Sequence, residues 1–408
     1  MESKMKKFIL LIIIAVIMAA MVSCSEPVMY ENTLAAPTTF ETQSSGTFEA
    51  QLFGAMPTDQ NYMISPFSLR MALAMAANGA SGQTKDEILA ALDIADLGEF
   101  NQRASEFIRI SNVNEAVEFN IANSIWFNHD FFGRDEVGFL DDYRNIIENY
   151  FAGVADRIDN ATGADAVNDW ISYQTKDRIN DVVDPGSVAG TLAFLVNTIY
   201  FKGDWATQFD EQETREDIFT DRNGIRTSID FMHITYYFDY FENDYFQMLA
   251  KPYADESIRM YLVLPKTDQR LCFNLFEDAI DNMSTRKIEL LLPRFETEFL
   301  HEDLVAIMRR MGVTRAFCDV TAEFFEMFTD LPMGWPAYIG DILQKTFIEV
   351  NEEGTEAAAA TVIYMFAESW VPPPPPPIPF YCNRPFIYFI RNDITNDILF
   401  MGEFAFAG

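Results

Sequence analysis

Hydrophobic positions recur with two different periods along the chain, and these periods separate helices from strands. In the first part the apolar residues recur every three to four positions, which predicts helices. One of these begins at Pro66 and ends at Gly79, and a second opens at Thr84, the expected N-cap of an acidic first turn. A third amphipathic helix is predicted over residues 167–174.

Strand-forming segments alternate apolar and polar residues or are apolar throughout. Residues 117–127 alternate and predict a strand with one wetter end, whereas residues 192–201 are apolar on both faces. The second pattern predicts a central strand covered on both sides. Two short runs that each end at a proline predict strands at 261–264 and 288–292, and two later runs predict buried strands at 386–390 and 398–401. Helices prevail early and strands late, so we expect an α+β fold with large sheets.

The N-terminal segment has the pattern of an export signal. Three lysines precede an apolar run of 13 residues over 8–20, which is too short to span a membrane comfortably. The run ends at Ser23-Cys24, and a small residue before a cysteine at this place resembles the bacterial lipobox. We therefore expect a signal peptide over 1–23, a tether over 24–39 and a folded domain over 40–408. The alternative is an ordinary signal peptide in which Cys24 is incidental.

Charge and motif content exclude several classes of function. The chain carries 29 basic and 62 acidic side chains, so binding to nucleic-acid phosphates is excluded and a solvated acidic surface is expected. We find no CxxC, HExxH, GxSxG or P-loop pattern, and therefore expect no enzyme, metal or cofactor. Three cysteines follow the signal, Cys272, Cys318 and Cys382, and we expect them to be buried small hydrophobes rather than disulfides.

One segment near the C-terminus allows two interpretations. Residues 351–361 carry small side chains at nearly every position. As a strand, the segment would place Thr355, Ala357 and Ala359 on one uncharged face and Glu356 on the other, and Gly354 would permit a turn at its start. As a helix, the same Ala-rich run would have high propensity.

Several motifs, taken in order, resemble the serpin family of protease inhibitors. They are Asn61–Ser68, Asn78–Thr84, Asn197–Trp205, Pro252-Tyr253, Leu292–Phe295, Asn383–Phe386 and Leu399–Gly402. The resemblance covers about residues 40–408. It implies a single domain of three β-sheets and about nine helices, with an exposed reactive loop over about 352–380.

The resemblance also implies roles for particular residues. A mobile hinge would comprise Glu352, Glu353, Gly354, Thr355, Glu356, Ala357, Ala358, Ala359 and Ala360. A buried shutter network beneath the main sheet would contain Ser65, Ser68, Asn197 and Gln344, the last at a position where the family often has histidine. At the breach, the end of the sheet where a loop would enter, Trp205 would act as a plug and Arg294 would face Glu352.

The implied function is inhibition of a serine or cysteine protease, which would be trapped covalently after it attacks the loop. In the family the scissile bond lies sixteen residues after the position of Glu352, which gives Glu368-Ser369. Cuts near Tyr364, Met365 or Phe366 are alternatives. Six prolines over 372–377 are interpreted as an insertion that forms a stiff polyproline stalk.

The expected partners are the target protease, as a covalent complex, and a membrane reached through lipid on Cys24. We expect a monomer in the cell envelope, at the outer membrane or cell surface, or a secreted protein if Cys24 carries no lipid. A non-inhibitory serpin that acts as a binder or chaperone is the alternative function.

Overall fold

Nine helices and seventeen strands make up the part of the chain that the computed structural model describes. The described residues are 47–111, 117–131, 137–267, 269–329, 337–355 and 375–407. The helices are α1 (Phe48–Ala55), α2 (Pro66–Gly79), α3 (Gly82–Ala91), α4 (Leu97–Ser111), α5 (Asp141–Phe151), α6 (Gly163–Gln174), α7 (Pro185–Gly190), α8 (Asn274–Asp281) and α9 (Leu304–Arg310).

The strands fall into three sheets. They are β1 (Tyr62–Ile64), β2 (Val117–Asn128), β3 (Gly138–Phe139), β4 (Val154–Ile158), β5 (Ala193–Asp204), β6 (Arg215–Thr220), β7 (Arg226–Glu242), β8 (Phe246–Pro252), β9 (Ile258–Pro265), β10 (Ser284–Pro293), β11 (Phe295–His301), β12 (Phe328–Thr329), β13 (Asp341–Val350), β14 (Gly354–Thr355), β15 (Ile378–Tyr381), β16 (Phe386–Asn392) and β17 (Ile398–Phe404).

The sheets differ greatly in size. Nine strands form the largest sheet in the order β1-β17-β16-β9-β8-β7-β10-β15, with β6 also paired to the long strand β7. Six strands form the second sheet in the order β11-β13-β5-β2-β4, with β14 also paired to β5, and β12 pairs with β3. The described residues thus confirm the expected α+β class, the three sheets and the nine helices.

Helix α2 lies between the two large sheets. Pro66 occupies its first turn, and the side chain of Ser65 accepts a hydrogen bond from the Ser68 amide at its N-terminus. The helix contacts β2 and β5 on one side and β17 on the other, and nearly all its residues are buried. This burial explains why it is apolar around most of its circumference.

Strand β5 is central in the six-stranded sheet, as its apolar sequence predicts. One face belongs to the large core beneath α2, and the opposite face packs in a smaller core that includes Val167 and Ile171 of α6. Two residues of β5, Phe194 and Val196, point into that smaller core. Coverage on both faces accounts for the apolar residues on both faces of β5.

Most predicted elements are confirmed, with ends that shift by a few residues. The predicted start of α3 at Thr84 is wrong. Ser81 is the N-cap residue of this helix, and Thr84 is buried inside its first turn. Thr84 is instead held by Glu323, whose carboxylate accepts from the Thr84 amide at 3.2 Å and whose amide donates to the Thr84 hydroxyl at 3.1 Å. This partner lies far along the chain, so local capping rules do not reveal it.

The expectation for the cysteines is only partly confirmed. Cys382 is buried, and burial raises the pKa of its thiol. Cys318 is half-buried, whereas Cys272 is exposed, which corrects the prediction that all three are buried. Cys272 lies between buried Leu271 and Phe273, so the general tendency of free cysteine to be buried does not hold at this position.

Candidate functional site

Strands β5 and β13 separate partway along the six-stranded sheet. They run parallel and pair from Asp341 with Phe194 to Thr346 with Ile199. Beyond this point β13 pairs only with β11 in the described structure. The sheet therefore has a ladder between β5 and β13 at one end and a divergence at the other.

The chain returns to β5 at the divergent end. After β13 it turns, and β14 pairs antiparallel with β5, Gly354 with Asp204 and Thr355 with Gly203. Because Val117 of β2 already pairs with Gly203 on one side, β14 must occupy the side that faces β13. The hinge residues Gly354 and Thr355 thus lie where a strand between β5 and β13 would begin.

The turn before β14 is closed by Asn351. Its side-chain oxygen accepts hydrogen bonds from the backbone amides of Glu353 at 3.1 Å and Gly354 at 3.2 Å. The backbone amide of Asn351 donates to the Gly354 carbonyl. These bonds reverse the chain in the manner of an Asx turn. The reversal makes β14 antiparallel to β5.

Trp205 lies directly beneath this turn. Its backbone amide donates to the Glu353 carbonyl at 2.8 Å, and its indole Nε1 donates to the Asn351 carbonyl at 3.0 Å. The indole is buried and stacks on Tyr253, with ring centroids 4.5 Å apart. Phe209 adds a third bond, from its amide to the Glu352 carbonyl at 2.9 Å.

Arg294 and Glu352 form an ion pair beside Trp205. The Arg294 Nε lies 2.8 Å from both carboxylate oxygens, and its Nη2 lies 2.7 Å from Oε1. Thr214 also donates to the carboxylate. Burial raises the pKa of Glu352, but the bonds from Arg294 and Thr214 outweigh burial and leave it below its ordinary value. The structure therefore brings the implied breach residues together around the hinge.

Lys251 is a breach residue that sequence reasoning missed. It is completely buried beneath Trp205, and its Nζ donates to the Thr207 carbonyl at 2.7 Å. A lysine directly after the apolar run Met248–Ala250 of strand β8 was the available signal.

Four polar residues form a buried row across the middle of the six-stranded sheet. In the strand registers, His301 of β11 is opposite Gln344 of β13, Gln344 is opposite Asn197 of β5, and Asn197 is opposite Asn123 of β2. The Gln344 side chain donates to the Asn197 side chain, which donates in turn to Asn123 Oδ1 at 2.5 Å. This row crosses the ladder between β5 and β13.

The row is tied to the start of α2. Gln344 accepts from the Ser65 amide at 2.8 Å and donates to the Ser65 carbonyl at 3.1 Å. Asn197 donates to both the carbonyl and the hydroxyl of Ser68. Ser65 also donates its hydroxyl to the Leu399 carbonyl at 2.6 Å, which links the row to β17. All four predicted shutter residues thus belong to one buried network.

The row contains a histidine on β11, His301, and not on β13, where the family often has histidine at the position of Gln344. His301 Nε2 lies 2.9 Å from the Met63 carbonyl, and Thr346 donates to the same oxygen at 2.7 Å. Burial lowers the pKa of His301 to about 4, so its ring is neutral near pH 7. Sequence reasoning missed both His301 and Asn123. Asn123 follows the apolar residues Phe119 and Ile121 at the same spacing of two. A polar residue at a position where this alternation predicts an apolar one was the signal that could have identified it.

Several predicted site residues lie outside the described residues. These are Cys24, the hinge residues Glu356, Ala357, Ala358, Ala359 and Ala360, and the reactive-bond residues Glu368 and Ser369. The prolines over 372–374 also lie outside the described part, whereas those over 375–377 lead into β15.

Within the described residues, two observations bear on other functions. No group of three or more His, Cys, Asp or Glu side chains is arranged to hold a metal ion there. None of the described helices is long and apolar enough to cross a membrane.

Comparisons with known proteins point to one family. The family model described as Serpin (serine protease inhibitor) matches residues 43–406. An uncharacterized serpin-like protein of Thermococcus kodakarensis is 32% identical over 358 residues, which cover 85% of this chain and 80% of that protein. Human Serpin B8 is 30% identical over 383 residues, which cover 89% of this chain and 98% of that protein. The crystal structure of the thermophilic serpin tengpin in its native state superposes with a TM-score of 0.77 at 27% identity, covering 88% of this chain and 92% of that one.

Proposed function

Because the chain belongs to the serpin family, we propose that it inhibits serine or cysteine endopeptidases by inserting its reactive loop into the six-stranded sheet. The protein would act as a single-use substrate. A protease would attack the loop and form an acyl-enzyme, and insertion would then carry the bound protease away before deacylation. The complex would be covalent and lasting, and the serpin itself would catalyse nothing.

The placement of β14 is the observation that carries this proposal. Gly354 and Thr355 already pair with β5 on the side that faces β13, at the end where the two strands diverge. Further residues of the hinge would continue the same strand by pairing with successive residues of β5. Insertion is then an extension of an existing ladder rather than the formation of a new one.

Strand geometry supplies a driving force for the extension. β5 and β13 are parallel, whereas β14 is antiparallel to β5. A strand inserted along its whole length would replace one parallel ladder by two antiparallel ladders, and antiparallel pairing is slightly more stable per residue. The intact protein would therefore be held kinetically short of its best-paired state.

The shutter network opposes insertion until the strands part. The hydrogen bond from Gln344 to Asn197 crosses the ladder that insertion must open. Both side chains retain other partners, Ser65 for Gln344 and Ser68 for Asn197, so neither is left without a hydrogen bond when the bond between them breaks. Small Ala and Thr residues in the hinge would enter the sheet without overpacking it.

The target would be a protease that accepts an acidic residue before the cut. The hinge count places the reactive bond at Glu368-Ser369, which suits glutamyl endopeptidases. Cuts near Tyr364, Met365 or Phe366 would suit chymotrypsin-like or elastase-like enzymes. We further propose that the chain is exported and, through lipid on Cys24, is anchored as a monomer at the cell envelope.

The test is incubation of the purified protein with a glutamyl endopeptidase, chymotrypsin and elastase, followed by denaturing gel electrophoresis and mass spectrometry of the released C-terminal peptide. We expect a gel-stable adduct with the glutamyl endopeptidase and a peptide that begins at Ser369. A peptide that begins elsewhere with an adduct present corrects the reactive bond but leaves the mechanism intact. Cleavage by every protease without an adduct contradicts the proposal and favours a non-inhibitory binder or chaperone.

A further inference from the structure

Lys251 lies in an aromatic cage at the centre of the breach. Its ammonium group is 4.7 Å from the ring centroid of Trp205, 4.4 Å from that of Phe209 and 5.5 Å from that of Phe238. Its hydrogen bond to the Thr207 carbonyl fixes the Nζ within the cage. Cation–π attraction to three rings partly offsets the cost of removing the charge from water.

The offset is incomplete, because none of the carboxylates in the described part of the chain pairs with the buried cation. Burial lowers the pKa of Lys251 to about 7, and no neighbouring charge within the described residues counters this effect. Near neutral pH the cage therefore holds a mixture of charged and neutral lysine. An uncompensated buried charge is among the most expensive groups that a protein interior can hold.

The residues of the cage are also the residues that dock the hinge. Trp205 binds the carbonyls of Asn351 and Glu353, and Phe209 binds the carbonyl of Glu352. Any shift of these two residues that lets water reach Lys251 therefore acts on the hydrogen bonds that hold the chain before β14.

We propose that Lys251 is a positioning residue whose protonation promotes release of residues 351–353 from Trp205 and Phe209 at the breach. When the cage opens, water reaches the amine and the ammonium form no longer bears the cost of burial. Protonated protein therefore opens more readily than neutral protein. The effect on inhibition rests on the proposed function, whereas the effect on hinge docking does not.

The sign follows from proton linkage. A lysine with a pKa of about 7 when caged and an ordinary value of roughly 10.4 when hydrated binds a proton as the cage opens between these two values. In that window opening becomes up to about tenfold more favourable for each unit by which the pH falls. Below pH of about 7 the lysine is charged in both states, and the effect levels off.

Other charged groups around the cage respond differently. On the hinge side Glu352 and Arg294 are paired, with a lowered and a raised pKa respectively, so both stay charged above pH 7. Burial raises the pKa of Tyr240 on β7, so its phenol stays uncharged between pH 7 and 9. Burial also raises the pKa of Asp204 at the end of β5, and an Asp204→Asn variant separates its titration from that of Lys251.

The experiment is amide hydrogen exchange of the intact protein at pH 7, 8 and 9, without any protease. The reporter is the peptide that contains residues 205–209, and its rates are corrected for intrinsic exchange at each pH. Lys251→Met removes the charge and keeps similar volume, and Lys251→Arg keeps a charge throughout. A peptide from the β2–β5 ladder reports on general loosening of the sheet.

In the wild type we expect the corrected opening constant of the reporter to fall several-fold or more for each unit of rising pH. In both Lys251→Met and Lys251→Arg this opening constant should not change with pH. It should be higher in Lys251→Arg than in Lys251→Met. Parallel pH profiles in the wild type and Lys251→Met would overturn the proposal.

A second measurement needs no variant. Competitive acetylation with acetic anhydride, read by mass spectrometry at Lys251, follows the exposure and ionisation of the amine in the wild type. Only the neutral amine of the open state reacts, so the falling opening constant and the rising neutral fraction offset each other, and Lys251 acetylation should change little between pH 7 and 9. Lys176 is the exposed reference, and Lys251 reactivity equal to that of Lys176 across this range would contradict the cage. Since neither assay requires inhibition, failure of the proposed function and failure of this inference give different results.

Discussion

Gly354 lies directly against the backbone of Gly203. A Cβ atom at position 354 would sit 2.6 Å from the Cα of Asp204 and closer still to the Gly203 carbonyl oxygen. The pairing of β14 with β5 therefore needs glycine at the start of the hinge because no side chain fits there. Gly354 thus sets how closely the returning chain approaches the strand that it would extend.

We predict that Gly354→Ala displaces β14 from β5. The backbone contact cannot be relieved by a side-chain rotation, so we expect the free energy of unfolding to fall by roughly 1–3 kcal/mol. Urea unfolding measures the change. Gly54→Ala in α1 is the matched control, because a Cβ there meets nothing within 4 Å, and it should be neutral or slightly stabilising. Equal stability of Gly354→Ala and the wild type would contradict the close approach.

We predict that Gln344→Ala weakens the shutter and speeds opening of the sheet. The change leaves the Ser65 amide and the Asn197 side-chain oxygen without their partner, which should cost roughly 3 kcal/mol of unfolding free energy. Hydrogen exchange of the β5 and β13 peptides should rise in parallel. Gln344→His, which keeps one donor and one acceptor, should lose much less, and exposed Gln102→Ala should lose almost nothing. A loss as small as that of Gln102→Ala would show that the network does not hold the strands.

The strands and the central helix were predictable because their hydrophobic patterns are long and regular. Residues 192–201 are apolar on both faces apart from Asn197 and Thr198, and residues 193–201 form most of β5, which is covered on both faces. The helix from Pro66 to Gly79 has the predicted ends. Thr84 was misassigned because its partner is Glu323, and no local pattern reports a contact across that distance in sequence.

Residues of the site were predictable only where they lie in a segment that resembles a known family. Trp205, Arg294 and Glu352 lie within segments that resemble the serpin family, and the structure places them in contact with one another or with the turn before β14. Lys251 and His301 lie outside the residues for which the resemblance implied a role. Their importance comes from burial and from strand register, which a single sequence does not state.

We predict that His301 makes the protein sensitive to acid. Its pKa is about 4 when folded against an ordinary value of 6.5, so the unfolded chain binds more protons between these values. Stability that is present above pH 6.5 is therefore lost as the pH falls towards 4, by about 3 kcal/mol in total. Unfolding of the wild type and His301→Gln over this range measures the difference in slope. His129→Gln is the control, and a His301→Gln profile that matches the wild type would contradict the assignment.

We predict that Thr355→Arg converts an inhibitor into a plain substrate. The backbone of Thr355 pairs with Gly203, and in an inserted strand its side chain belongs to the uncharged set that faces the core. A guanidinium at this place would stall insertion, because burying it without a partner is costly. Glu356→Arg, one position along on the opposite face, is the matched control and should still form adducts. Adducts from Thr355→Arg at the wild-type yield would refute insertion along this register.

The most direct measurement compares the melting temperatures of intact protein and protein cut once within the reactive loop. If the intact sheet is kinetically held and the free loop then completes it, the cut protein should melt about 10 °C higher or more, since even a few kcal/mol of added strand pairing shifts a midpoint by several degrees. A cut sample that melts at or below the temperature of the intact sample contradicts loop insertion in this chain.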